Sequence, residues 1–221
     1  MILNTELFSF ENSIAGDLIK SKTYPWEVLP EISDYIKELG SKLDPEEFEN
    51  PYENVWIAKD AVVFPTAYIN GPCIIDHGAE VRHCAFIRGS AIVGKNAVVG
   101  NSTELKNCIL FDGVQVPHYN YVGDSILGYK AHMAAGSITS NLKSDKKPVI
   151  IRDSENIIET NMRKVGAFLG DFVEVGCNSV MNPGSIIGKG TMIYPLSSVR
   201  GVIADNCICK TGGVICERDL R

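Results

Sequence analysis

Three residues carry the chemistry most worth pursuing: Arg88, Lys106 and His118. Arg88 and Lys106 belong to a shared spacing pattern, and each directly follows a large apolar residue, Ile87 and Leu105. Two long cations held at strand spacing repel each other unless an anion lies between them. Arginine offers a bidentate fork and lysine a point charge, the two usual ways of holding a phosphate. The same spacing also suits two solvated cations that diverge, or that pair with Glu104 or another carboxylate. Spacing alone leaves both readings open. His118 brings an imidazole, a group of pKa about 6.5 that accepts a proton near neutral pH. A lone histidine is equally at home as a structural or merely exposed residue. Among the seven cysteines, Cys207, Cys209 and Cys216 come nearest to a metal cluster, but a fourth ligand at zinc-site spacing is missing.

The spacing of the two cations gains meaning from the elements around them. Ile57, Val63, Ile69, Ile75, Val81, Ile87, Val93, Val99, Leu105 and Phe111 are all apolar and six apart. The ladder slips near Pro117-His118-Tyr119-Asn120 and resumes at Tyr121, Leu127 and Met133. After a second break it returns at Leu169, Val175, Met181, Ile187, Ile193 and Val199. Glycine often follows the apolar residue, and small residues such as Ala79, Ala85, Ala91 and Ala97 fill the fifth slot. A helix would need apolar spacings of three and four. A six-residue step with one large and one small inward residue describes a short straight side and a tight corner. Three sides close a triangular coil of about 18 residues, and coils stack at the ~4.8 Å inter-strand spacing. About seven coils then make a prism roughly 33 Å long. Residues three steps apart stack, which sets Arg88 beneath Lys106 and predicts His118 one coil above Gly100. The expected fold is mainly β, a parallel β-helix of hexapeptide repeats.

Residues 1–52 lack the repeat and are expected to form a helical or irregular cap over the open first coil, with the β-helix running from 53 to 221. Ile32, Tyr35, Ile36 and Leu39 predict a short helix stopping at Gly40. An arm interrupts the ladder at about 142–168. Its core, Pro148 to Arg152 followed by Ile157 to Thr160 across a polar turn, predicts a protruding hairpin. The tail, with Cys207-Ile208-Cys209 and Val214-Ile215-Cys216, is expected to complete the last coil. The net charge of -6 argues against nucleic acid. No apolar run approaches the ~20 residues of a membrane span. The N-terminal residues show no secretory signal, and scattered cysteines suit reduced thiols, so a cytoplasmic location without a membrane partner is expected.

Three segments carry a resemblance: Val99-Gly100-Asn101-Ser102-Thr103-Glu104-Leu105-Lys106, His118-Tyr119-Asn120-Tyr121-Val122-Gly123-Asp124, and Ala134-Ala135-Gly136-Ser137-Ile138-Thr139-Ser140-Asn141. Together they resemble the acetyltransferase half of the bifunctional bacterial enzyme that acetylates glucosamine-1-phosphate and uridylylates the product. The hexapeptide ladder likewise resembles the left-handed β-helix proteins, which implies a left-handed parallel β-helix. The resemblance implies His118 as the general base, and Arg88, Lys106 and Tyr121 as ligands of the sugar phosphate. It implies Ala135 and Asn141 near acetyl-coenzyme A, the co-substrate, in a groove between the subunits of a homotrimer. Departures are visible. His132 stands where the family has a substrate-touching asparagine, Cys177 replaces a cofactor-side serine, and Pro195 replaces an alanine. The Gly-rich start of the uridylyl-transferring half is missing.

The reading is therefore an acetyl-coenzyme A-dependent N-acetyltransferase for an amino-sugar phosphate, requiring no metal. One rival is a non-catalytic or regulatory β-helix that binds a sugar nucleotide or a protein partner. The other is a zinc hydratase using His77, His83, His118 and His132, whose spacings do not match the ligand pattern of that fold.

Overall fold

The structure, a computed structural model, describes residues 3–153 and 156–219. It is a three-sided parallel β-solenoid with a short helical segment and a hairpin laid against it. The three sides are named here by what they carry. The histidine side runs through Glu80–Val81, Val98–Asn101, Gln115–His118, His132–Met133 and Glu174–Val175. The cation side runs through Tyr68–Ile69, Phe86–Ile87, the first halves of Glu104–Leu110 and Tyr121–Leu127, then Ile138–Thr139, Val180–Met181 and Ser198–Val199. The covered side contains Val55–Ala58, Cys73–Ile75, Ala91–Val93, the second halves of those two long strands, Ala167–Leu169, Ser185–Ile187 and Val202–Ile203.

Pairing departs from a uniform coil of three hexapeptide steps at two corners in the middle of the prism and again near its top, where Val202 lies above Ile186 only 16 residues on. Leu105 lies above Ile87, a full three steps on, but Leu110 above Val93 and Val122 above Leu105 fall one position short of that. Two corners, at Asn107 and Asp124, have lost a residue, so the inward step from Leu105 to Leu110 and from Val122 to Leu127 is five. The expected slip at 117–120 is thus displaced to these corners. Val116 and Val122 are the buried rungs there, while Tyr121 is only half-buried. Alternation turns Tyr121 to the outside, and likewise Phe111, which directly follows the inward Leu110. One left-handed residue makes each tight corner, at φ 50° for Asn107 and 49° for Asp124. Asparagine and aspartate tolerate that conformation better than other side chains with a Cβ.

On the covered side the outward position is also apolar. Trp56, Ile74, Ile92, Ile109, Ile126, Phe168 and Ile186 pair in sequence up the prism. Strand alternation points them away from the interior, yet all but Trp56 are fully buried. The N-terminal segment buries them. Helix Ile32–Gly40 faces the strands at 73–75, 91–93 and 104–110. Phe8 stacks on Phe111 at 5.2 Å, and Trp26 meets Phe168 at 6.5 Å. Higher up, the Asp171 amide donates to the Leu7 carbonyl at 3.1 Å, and Asp171 also pairs with Lys189 at 3.0 Å.

The helices of the N-terminal segment therefore lie along the flank, while Phe48–Tyr52, the end of the expected cap, pairs antiparallel with Val55–Ala58 on the first coil. A hollow of about 780 Å³ remains at that coil, touching Ile57, Val63 and Ile69 and bordered by Glu49, Pro51 and Tyr52. The expected helix is present, with Gly40 as its last residue, packed against the Trp56 ring. The hairpin is present too, with Ile150–Asp153 pairing Asn156–Glu159. Its protrusion is partial. Val149 and Ile151 are buried against Gly184, and Ile157 remains exposed. The tail also departs from expectation: Cys207–Cys209 finishes the coil, and Ile215–Glu217 returns antiparallel to it. Of the seven thiols, Cys84 and Cys177 are exposed, whereas Cys73 and Cys108 are buried and burial pushes the Cys108 thiol up to about 12.

Two outcomes follow. Phe168→Ala should lower the unfolding free energy by about 3–5 kcal/mol, measured by urea titration. Asp76 is fully buried, with Oδ1 accepting from the His77 amide at 2.8 Å and Oδ2 unpartnered. Burial raises its pKa. A carboxyl whose pKa is raised on folding stabilises the fold when protonated and loses that contribution as pH rises through the folded pKa. Asp76→Asn should therefore raise Tm at pH 7, with a gain that shrinks as pH falls through the raised folded pKa and is gone once pH drops below the ordinary carboxylate value of about 4. A gain independent of pH would contradict this account.

Candidate active site

His118 ends the strand Gln115–His118, at the edge between the histidine and cation sides. Its partner in the coil below is Asn101, not Gly100, because this coil falls one position short of three full hexapeptide steps. Pro117 lies over Gly100, filling the space once expected beside the imidazole. The edge continues upward through main-chain bonds. The His118 carbonyl accepts from Gly136 at 3.0 Å, Ala135 from Asn178 at 2.9 Å, and Cys177 from Leu196 at 2.9 Å. His118, Ala135, Cys177 and Pro195 thus stack in one column, three of them exposed and Ala135 half-exposed. Asn120 locks its base. This buried side chain accepts from the His118 amide at 3.1 Å and donates to the Ala134 and Ser137 carbonyls at 2.9 and 3.1 Å.

Arg88 and Lys106 do stack on the cation side, but each already has a carboxylate. Arg88 meets Glu104 at 2.8 Å, and Lys106 meets Asp124 at 2.8 Å. The mutual repulsion that suggested a trapped anion is thereby relieved within the chain. Glu104 lies on the rung of Lys106, two residues before it and above Phe86, and it holds the Arg88 pKa above its usual value. Asp124 is almost wholly buried and gathers Lys106, Asn107 at 2.9 Å and Asn141 at 2.6 Å. Asn141 also donates to the Tyr121 phenolic oxygen at 3.0 Å. Burial, then Asp124 and Glu104, raise the Tyr121 pKa, so the phenol stays protonated and able to donate. Asn107, Asp124 and Asn141 occupy successive turns of one corner, the corner tightened by the lost residue.

Arg88, Lys106, Tyr121 and Asn141 therefore gather in one cluster beside the edge that carries His118, Ala135, Cys177 and Pro195. His132 stands apart, three positions earlier on the histidine side, paired with Glu174 at 2.8 Å. His77 bonds Asp60 and His83 faces Thr66, each at 3.0 Å. The four histidines do not converge, and among the described residues no group of three His, Cys, Asp or Glu side chains is arranged to hold a metal ion. Glu104 was named as a possible partner of the cations and takes Arg88, whereas Asn107, Asn120 and Asp124 escaped the residue-type argument, although Asn120 and Asp124 lie inside the motif that begins at His118. The tightened corners were their signal.

These features define a hexapeptide-repeat β-helix protein. Within that class the chain resembles the acetyltransferase domain of bifunctional sugar-phosphate enzymes. The family pattern described as the GMPPB C-terminal domain matches residues 69–176. The chain is 37% identical over 173 residues to the bifunctional protein GlmU of Methanococcus maripaludis, covering 77% of this chain and 42% of that protein. It is 34% identical over 231 residues to the GlmU of Methanococcus aeolicus, covering 87% and 55%. Over 94 residues it is 37% identical to the bifunctional sugar-1-phosphate nucleotidylyltransferase/acetyltransferase of Sulfurisphaera tokodaii, covering 42% and 23%. The chain thus spans about half, or less, of the curated relatives it matches.

Asp124→Asn should strand Lys106 beside a weaker partner and cost about 3 kcal/mol of stability. Chemical denaturation would read this directly, and an unchanged midpoint would remove Asp124 as the keystone of the cluster.

Proposed function

We infer that the chain is an acetyl-coenzyme A-dependent N-acetyltransferase acting on an amino-sugar phosphate such as glucosamine-1-phosphate. The observation that carries this reading is the exposed column of His118, Ala135, Cys177 and Pro195 beside the cluster of Arg88, Lys106 and Tyr121. A base, an edge for the acyl donor and a polar cluster for the acceptor are then neighbours. The name of the Sulfurisphaera tokodaii relative supports a sugar-1-phosphate acceptor and acetyl transfer.

In this reading His118 takes a proton from the acceptor ammonium. The freed nitrogen forms the new bond to the thioester carbonyl carbon, the carbon–sulfur bond breaks, and the nitrogen's second proton passes to the departing thiolate. Backbone amides along the edge stabilise the oxyanion. Holding both substrates on one edge supplies orientation without a covalent enzyme intermediate. Arg88 is exposed, so an acceptor phosphate can take the place of Glu104 as its partner, while the neutral Tyr121 phenol donates to the same group. Asn141 and the column from Ala135 to Pro195 hold the acetyl donor, with His132 contributing across the contact between copies in a homotrimer. A cytoplasmic location suits this chemistry.

The pairing of both cations with carboxylates of their own chain favours a second reading, a non-catalytic β-helix binding a sugar nucleotide or a protein partner. Thiol release from acetyl-coenzyme A with glucosamine-1-phosphate separates the two. Turnover requiring both substrates, reduced about 10²–10⁴-fold by His118→Ala, is the expected result. Turnover untouched by that substitution would remove His118 from the mechanism. No turnover, with no acetyl-coenzyme A binding by calorimetry, would favour the non-catalytic protein.

A further inference from the structure

The arm leaves the solenoid at the corner after Asn141 and folds back over the last coils, enclosing a groove of about 440 Å³. Ser140, Asn182 and Arg200 form part of its floor. They continue upward the outward row that begins with Arg88 and Lys106, as the register through Thr139, Met181 and Val199 requires. Lys143 and Arg152 enter from the arm. Among the described residues that line the groove, three cations thus face a single carboxylate, Asp145, which pairs with Lys143 at 3.3 Å. Arg152 and Arg200 are exposed, and neither forms an ion pair among the described residues. The contrast with Arg88 and Lys106 is direct, since each of those is already matched.

A concave surface with excess positive charge concentrates anions, here on a chain of net charge -6. The volume falls within the roughly 300–1,000 Å³ of small-molecule sites. The walls are held in place. Gly184 and Gly201 both sit at φ 80°, and a Cβ on Gly184 would stand 2.7 Å from Ile151 Cδ1 and 2.8 Å from Val149 Cγ1. A Cβ on Gly201 would stand 3.2 Å from the Arg152 carbonyl oxygen. Glycine there lets the hairpin seat directly on the corner, so the groove is formed before any ligand arrives.

We propose that this groove is an anion site for a phosphate- or diphosphate-bearing small molecule, gripped by the guanidinium forks of Arg152 and Arg200 with Lys143 as the third cation. It is separate from the Lys106–Asp124 cluster. Ser140 lies two rungs above Lys106 and Arg200 two rungs above that, so Arg200 is roughly 19 Å up the prism from Lys106. A sugar monophosphate held at Lys106 does not reach it. The occupant is a second molecule or a longer one, either a nucleoside diphosphate or the phosphorylated end of a coenzyme. The inference stands on the groove alone and does not depend on the acetyl-transfer reading.

Calorimetry on the whole chain at low salt tests it, with inorganic pyrophosphate, uridine diphosphate and coenzyme A as probes. Pyrophosphate should bind the native protein. Arg152→Gln with Arg200→Gln should weaken it at least tenfold, and the distant Arg82→Gln, which removes the same type of charge, less than twofold. Whichever of uridine diphosphate and coenzyme A loses affinity in the double variant identifies the source of the phosphate. Gly184→Ala, which lifts the arm, should also weaken pyrophosphate while the far-ultraviolet circular dichroism stays native. No pyrophosphate binding, or equal binding by native protein and double variant, would overturn the proposal.

Discussion

In a parallel solenoid each strand takes its register from the rung below through evenly spaced hydrogen bonds, so the residues spent on a corner decide which side chains stack. That constraint governs the outside of this molecule as firmly as its core. Removing one residue at Asn107 and again at Asp124 moves everything after them by one position relative to a coil of three full steps. It turns Tyr121 outward, sets His118 over Asn101, and brings Asn107, Asp124 and Asn141 into one hydrogen-bonded stack. The candidate site lies where the repeat is imperfect. A perfectly periodic prism would carry the same outward residue environment on every rung and would have no unique location for chemistry.

The second organising feature is the apolar seam on one side. A solenoid needs inward apolar residues, whereas outward ones have to be covered by something else. Residues 4–40 cover them here, with Phe8, Trp26 and the buried face of helix Ile32–Gly40 laid along Phe111, Phe168 and the isoleucine row. The arm follows the same rule on a smaller scale, burying Val149 and Ile151 over the corner at Gly184 while its cations remain in solvent.

The six-residue ladder made the β-helix legible, because inward positions repeat whatever the corners do. Residue types and resemblance named Arg88, Lys106, Tyr121 and His118, and all four do lie on adjoining surfaces. Glu104 was legible as a partner available to the cations, since its rung lies a full three steps above that of Arg88. Asp124 was not, because it becomes the partner of Lys106 only through cross-rung register, which changes with a single residue at a corner. The seam was present in the sequence as a third apolar residue on every third side, at Ile74, Ile92, Ile109 and Ile126. Its meaning depends on knowing which side is left without solvent. The flank position of the N-terminal segment was illegible for the same reason, since a cap over the end and a cover along the side need similar amphipathic helices. The groove under the arm joins residues from three separate stretches, 140–145, 150–152 and 182–201, and no local pattern announces it.

The seam also sets an order of events during synthesis. Helix Ile32–Gly40 meets strands that end by residue 110, but Ser9 bonds Asp171, 162 residues later, and Lys189 reaches the Ser9 hydroxyl. At the ribosome's pace of about 5–20 residues per second, that gap is of order ten seconds or more. Leu7 and Ser9 therefore emerge early and meet their partners at Asp171 and Lys189 late. Phe8 and Asn12 find Phe111 and Asp112 sooner, so the segment is fastened in stages as the ladder grows. Later rungs thus fasten Leu7 and Ser9, and the contact that closes the flank there registers that the ladder has grown past Lys189.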